Sequence, residues 1–524
     1  VLLCLTMLNP ILIVLLIIIA WGLILAISAP FIRKSKHFSF MGPAIMVKAI
    51  KNRKIMDKVS AKFPGIIFSR ISVVLVIISS IIAMVFLIYG SYLATVVRNV
   101  SPPSLLLYLV LPGINPAIPI VFGTVSLIAA VVIHEFFHGI VAKKHNITVK
   151  AVGALFFIVP IGAFVEPDEK EVTEADPVIR RRIFASGPGI NIVIALVALL
   201  ILLFAMAPLA TPIHQGLYVE SVQANSSYSN IADRSEITSI GNFSGTDLYN
   251  IMENSTIKPG TMTDVTVFNG NSSVKEMVPA GLVVLGTIKG FPAYENISLG
   301  SIIYSINGNY VYNSTQLTNI LNSISPNTKI EMSTLNYTTG NSNPVERNFT
   351  FVTGSKYSYY AQYDPTANSV SYKTQSFIGV EISYLGVSSL PINEIRSEVL
   401  GTSMITSPWY GTLSTIALPF SGLSPIPGKL ASLFTTPFNP FIFWGLFNTL
   451  FWLFWMDFLL GITNALPFFI LDGGQFFKDT LKISSRRRIF KKLGDDKTIA
   501  NIALMMNFIV FFLILWEIIA LEHV

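Results

Sequence analysis

Long apolar runs alternate with basic loops along most of this chain, and one polar stretch interrupts them. The runs cover about Pro10–Ala29, Ile71–Ala94, Ile118–Ala142, Ala185–Ala207, Asn439–Phe469 and Ile499–Leu521. A helix crosses a hydrocarbon layer with about 20 apolar residues, so each run is long enough to span. The pattern predicts a polytopic α-helical membrane protein with about six transmembrane helices. Pro10–Ala29 has neither a basic leader nor a small-residue cleavage site, and reads as an uncleaved helix.

The loops predict sidedness. Phe31–Arg70 carries ten Lys or Arg against one acid, Asp57, an excess expected of a cytoplasmic loop. Lys143-Lys144, Arg180-Arg181-Arg182 and Arg486-Arg487-Arg488 with Lys491, Lys492 and Lys497 mark the same face. Six spans place every basic loop inside and both chain ends outside. Met41-Gly42-Pro43 and the amphipathic residues after it are expected on the anionic lipid surface.

Two stretches break the helical pattern. Gly153–Glu166 is too rich in Gly, Pro and β-favouring residues for a spanning helix. It reads as a β-hairpin, re-entrant from the inside, because irregular backbone is tolerated where it lines a protein cavity. A plain cytoplasmic hairpin fits the same residues. An unpaired hairpin edge can add an extended peptide as a further strand, which makes Gly162 and Phe164 candidate substrate contacts.

Pro208 to about Glu394 is polar, with strand-like alternation and eight N-x-S/T triplets from Asn225 to Asn348, as suits an extracytoplasmic region. Ile237-Thr238-Ser239-Ile240-Gly241-Asn242 followed by Leu248 parallels Ile303-Tyr304-Ser305-Ile306-Asn307-Gly308 followed by Leu317. Strand, tight turn and short helix in that order resemble the core of PDZ domains, twice in tandem. Gly216–Val219 and Gly281–Val284 would lead into the two units.

The expected organisation is therefore 1–95, two helices and a basic loop; 96–207, a first apolar half; and 208–394, the mainly β, PDZ-like insert. A Pro- and Gly-broken interfacial connector follows at 395–438, then a second apolar half at 439–480. Residues 481–524 form a basic loop and a last span.

Composition sharpens this. Of 524 residues 52% are hydrophobic and 12% charged, with a mean hydropathy of +0.62. The charged fraction is about half that of a soluble protein. A net charge of +7 sits in loops beside the spans, so nucleic acid is not an expected partner. Cys4 is the only cysteine, which excludes an intrachain disulfide and a cysteine metal site.

The chemistry centres on His134-Glu135-Phe136-Phe137-His138, an H-E-x-x-H pattern inside an apolar run. On a helix His134 and His138 share one face and can reach one metal ion, while Glu135 stands beside them as general base to a bound water. Ionisable groups within a span are costly unless paired, metal-bound or facing a wet cavity. A catalytic zinc takes three protein ligands and keeps one position open. Asp457, Asp472 and Glu517 are the other carboxylates in or at the ends of spans. Asp472 stands out because Gly473-Gly474 follow it and free the backbone for close approach. Asp457 precedes Asn464 by two helical turns and shares its face; it suits a group supporting the site from behind, or a carboxylate paired with a hydroxyl. Asn191, at the end of Gly187-Pro188-Gly189-Ile190-Asn191, is a second candidate for support.

Taken together, the H-E-x-x-H run, Gly153–Glu166, Gly187–Asn191 and Asn464–Gly474 resemble the site-2 proteases, intramembrane zinc metalloproteases that often carry a PDZ-like insert. The resemblance implies zinc on His134, His138 and Asp472, and Glu135 activating the water. It further implies that Asn464 steadies the tetrahedral intermediate. Asp457 falls where many relatives have a neutral amide. The implied substrates are single-span membrane proteins, cut within the bilayer near the cytoplasmic face of a plasma membrane in regulated intramembrane proteolysis. The alternatives are a non-catalytic PDZ-bearing receptor or scaffold, an ion transporter, or another membrane H-E-x-x-H protease. That last class takes a late Glu as ligand, and Glu517 and Glu522 fall at the wrong face.

Overall fold

The computed structural model describes residues 10–35, 37–41, 44–48, 53–96, 105–157, 159–223, 228, 231–337, 343–363, 368–486 and 495–522. Cys4, Gly42, Pro43, Asn225, Arg487, Arg488, Lys491 and Lys492 lie outside them. The chain divides into two compact units. The first comprises Val1–Ala94, Pro103–Leu200 and Thr449–His523, and the second chiefly Ile201–Asn448.

The long helices are α1 (Pro10–Lys34), α2 (Arg53–Lys62), α3 (Gly65–Val96), α4 (Ile120–Lys144), α5 (Pro177–Ile201), α6 (Pro440–Asn464), α7 (Asp472–Ser485) and α8 (Asp496–Glu522). Among the described residues five helices are long and apolar enough to cross a membrane: α3, α4, α5 with its continuation to Leu209, α6 and α8. Where the first of six spans is expected, α1 is helical over 25 residues. One boundary differs instructively. Gly187-Pro188-Gly189 lies within α5 and does not open it, because the helix begins at Pro177, where Asp176 accepts a hydrogen bond from the Val178 N–H at 2.8 Å. Three arginines hide those first turns from a hydropathy reading. An interior proline is tolerated in an apolar span where neighbouring helices compensate the lost bond.

The expected hairpin forms, and it is larger than expected. β1 (Phe38–Met41), β2 (Ala44–Lys48), β3 (Val149–Phe157) and β4 (Val159–Pro167) make one antiparallel sheet in chain order. Of the stretch expected along the lipid surface from Met41 onward, Met41 ends β1 and Ala44–Lys48 form β2, which covers the free edge of β3. The Lys48 ammonium meets the Glu166 carboxylate at 2.8 Å and ties β2 to β4 across that strand. β4 ends the sheet and runs beside α4: Gly162 faces Val131, and Val165 packs on Gly139.

The second unit holds the polar stretch. β5 (Leu217–Val222), β6 (Glu236–Ile240), β7 (Met262–Phe268) and β8 (Ser273–Pro279) are followed by β9 (Leu282–Thr287), β10 (Ile302–Ile306), β11 (Lys329–Asn336) and β12 (Val345–Val352). Two adjacent strands, β13 (Val380–Tyr384) and β14 (Val387–Pro391), close the set. One sheet runs β8-β7-β6-β5-β14 and the other β12-β11-β10-β9-β13, the same order twice. Each also has a two-residue strand, Phe243–Ser244 or Asn309–Tyr310, folded back after a tight turn with positive φ at Gly241 or at Asn307 and Gly308. The repeat is real, but its arrangement differs from a tandem: the second set lies between β8 and β14 of the first. One core of buried Ile, Val and Leu serves both sheets, with Tyr384 donating or accepting at Ser255 (2.6 Å) between them. Asn313, one of the N-x-S/T triplets, caps the helix Ser314–Asn322 with its side-chain oxygen.

Candidate metal centre

α4 turns His134 and His138 to one side, one helical turn apart, with ring centroids 4.8 Å from each other. Their Nε2 atoms lie 3.2 Å apart. Asp472, first residue of α7, brings Oδ2 to 3.0 Å from His134 Nε2 and 3.1 Å from His138 Nε2. The aspartate reaches them because the chain turns tightly between α6 and α7. There an added Cβ at Gly473 would strike the backbone of Ala465 and Leu466.

α5 holds both rings from behind. His134 Nδ1 donates to Asn191 Oδ1 at 3.2 Å, and His138 Nδ1 donates to the Ile183 carbonyl at 2.7 Å. Both acceptors are oxygens, so each ring keeps its Nε2 lone pair facing inward. Gly187 sits between them, where a Cβ would collide with Nε2 of both histidines. Two imidazole lone pairs and a carboxylate oxygen therefore converge, a donor set that repels itself unless a cation lies among them. Tetrahedral zinc bonds of about 2.0–2.1 Å would separate ligand atoms by about 3.3 Å. The observed 3.0–3.2 Å fits such an ion. Among the described residues this is the one His, Cys, Asp and Glu group with three ligand atoms so close.

The Glu135 carboxylate reaches the sheet. Its Oε2 accepts the Val165 N–H of β4 at 3.3 Å, which sets the carboxylate at the strand that ends the sheet. The other expected residues fall differently. Asn464 ends α6, and its Nδ2 donates to the Leu460 carbonyl at 3.1 Å and to none of the ligands. Phe164 is buried over Gly153, where a Cβ would come within 2.6 Å of its ring, so it supports the sheet and presents little surface to a peptide. Asp457 is fully buried in α6 with neither oxygen hydrogen-bonded among the described residues; neither a ligand nor a hydroxyl meets it. Sequence reasoning missed the Ile183 carbonyl, which carries no side-chain signal. It also read Arg180 only as a mark of the inner face, whereas Arg180 pairs with buried Asp479 of α7.

Apolar helices that bring an H-E-x-x-H pair against a distant aspartate define a membrane metallopeptidase. Residues 122–513 match peptidase family M50, and the chain belongs to that family, the site-2 proteases. It is also similar to an uncharacterized protein of Methanocaldococcus jannaschii, 40% identical over 89 residues, which is 17% of this chain. That match spans about a quarter (24%) of the relative's length.

Proposed function

We propose that the protein is a zinc endopeptidase of the site-2 type. It hydrolyses peptide bonds in or near the transmembrane segments of single-span membrane proteins, close to the cytoplasmic face of a plasma membrane. The observation that carries this reading is the meeting of His134, His138 and Asp472 across 338 residues of chain, with Glu135 one residue from the first ligand.

His134, His138 and Asp472 would hold a zinc ion, which when bound would supply Lewis acidity and lower the pKa of a water to about 7. Every other step belongs to the chain. Asn191 and the Ile183 carbonyl fix the rings so that both Nε2 atoms stay available. Glu135 takes the proton of the attacking water and passes it to the departing amide nitrogen, a transfer worth about 10²–10⁴-fold. Asn464 steadies the carbonyl oxygen under attack once its amide gives up Leu460. A membrane helix hides its carbonyls in internal hydrogen bonds and must unwind before attack. β4 supports a means: its outer edge is free of strands among the described residues, and the Val165 N–H already lies beside Glu135. An unwound segment adding to that edge would lie next to the base.

The repeated sheets support the PDZ-like reading of 208–394, an extracytoplasmic region that selects or gates substrates by strand addition. The test is cleavage of single-span substrates by the protein reconstituted in bilayers, wild type against Glu135→Gln. Loss of cleavage with metal retained is expected. Equal activity would end the catalytic assignment, and a cut mapped to the outer leaflet would end the placement near the cytoplasmic face.

A further inference from the structure

Arg180, Ile183, Gly187 and Asn191 follow one another at helical spacing and form one stripe of α5. The last three meet the histidines, as described above. Arg180 turns to α7 instead. Its Nε donates to both oxygens of Asp479 at 3.1 Å, and Nη2 donates to Oδ1 of the same group. The Asp479 side chain is 4% exposed and that of Arg180 17%. Nη1 is held by the carbonyl of Thr173 at 3.0 Å, so the guanidinium is fixed on both sides.

The spacing is what gives this pair meaning. Asp479 stands seven residues after Asp472, and Arg180 seven residues before Gly187, where an added Cβ would strike both histidine rings. Two turns measure about 10.5 Å on either helix. The pair therefore stands off from the site by the same length along α5 as along α7. We propose that Arg180 and Asp479 are positioning residues that set the register of α7 against α5, so that one oxygen of Asp472 reaches both histidines. A slip of one turn would carry Asp472 about 5.4 Å, against a tolerance of roughly 0.5 Å for a working site. A forked guanidinium–carboxylate contact fixes direction as well as distance, which a point charge does not. The inference rests on the zinc reading given above.

The test uses the full chain in detergent or bilayers, with Co²⁺ as a visible probe of the three-ligand site. Wild type must first bind one Co²⁺; failure there sinks the zinc reading before the register is touched. Arg180→Lys keeps the charge and loses the fork. It should weaken Co²⁺ binding about 10–100-fold, change the visible spectrum, and lower kcat with KM unchanged. Asp479→Asn should do the same more strongly, and exchanging the two side chains (Arg180→Asp with Asp479→Arg) should restore part of the affinity. Should Asp479→Asn fail to fold, Arg180→Lys decides alone. Wild-type Co²⁺ affinity and spectrum in Arg180→Lys, or a lowered melting temperature with affinity intact, would overturn the proposal.

Discussion

The metal centre of the first unit and one buried carboxylate of the second treat polar groups in opposite ways. In the first, each ring of the metal centre has a partner on a different helix at 2.7–3.2 Å. In the second, Glu236 has no exposed side-chain surface and only half its capacity used. Oε1 accepts the Gly216 N–H at 2.7 Å, while among the described residues Oε2 has no hydrogen bond and faces His214 Nδ1 at 3.7 Å. Rings held by a partner on each side specify geometry; a half-partnered carboxylate costs stability. Damage to the metal centre should show in chemistry, and a change at Glu236 in melting.

The sharpest contrast comes from metal removal. A chelator should abolish cleavage, added Zn²⁺ should restore it, and the insert's melting should not move. Next, Asn191→Ala frees the His134 ring to turn and should lower metal affinity about 10–100-fold with the fold retained, read by metal titration. In the insert, burial lifts the Glu236 carboxyl from 4.5 to about 7, against the opposing pull of the Gly216 N–H. The folded value lies above the unfolded one, so the stability this group contributes is full below about pH 4.5 and is lost as pH rises through about 7. Glu236→Gln should flatten that loss and stabilise the insert at pH 8 by up to about 3 kcal/mol, measured by melting across pH. The smallest effect belongs to Asn313→Ala, which removes a cap bond to the Gln316 N–H (2.8 Å) and should cost about 1 kcal/mol. A metal affinity altered by Glu236→Gln would break the contrast between the units.

What could be read in advance follows from how local each signal is. The H-E-x-x-H pair sits within one helical turn, and Asp472 is marked by the two glycines after it, so the three residues that converge were legible although 338 residues part them. The hairpin and the repeated strand–turn–helix were legible for the same reason. β1 and β2 were not, because ten basic residues between Phe31 and Arg70 drew the reading toward lipid, and the strand that β2 pairs with lies about a hundred residues away. Nor was the nesting: Leu385-Gly386 alone separates β13 from β14, yet those strands close different sheets. Arg180 and Asp479 each look like a charge at a membrane edge until two helices are brought together.

The outermost strands of the insert have an evolutionary corollary. β14 pairs antiparallel with β5, Pro391 opposite Leu217, so the chain leaves the β region within about 5 Å of where it came in. A stretch of well over a hundred residues thus behaves as a cassette. Lineages could gain it, lose it or exchange it for another reader of substrates through a single short splice.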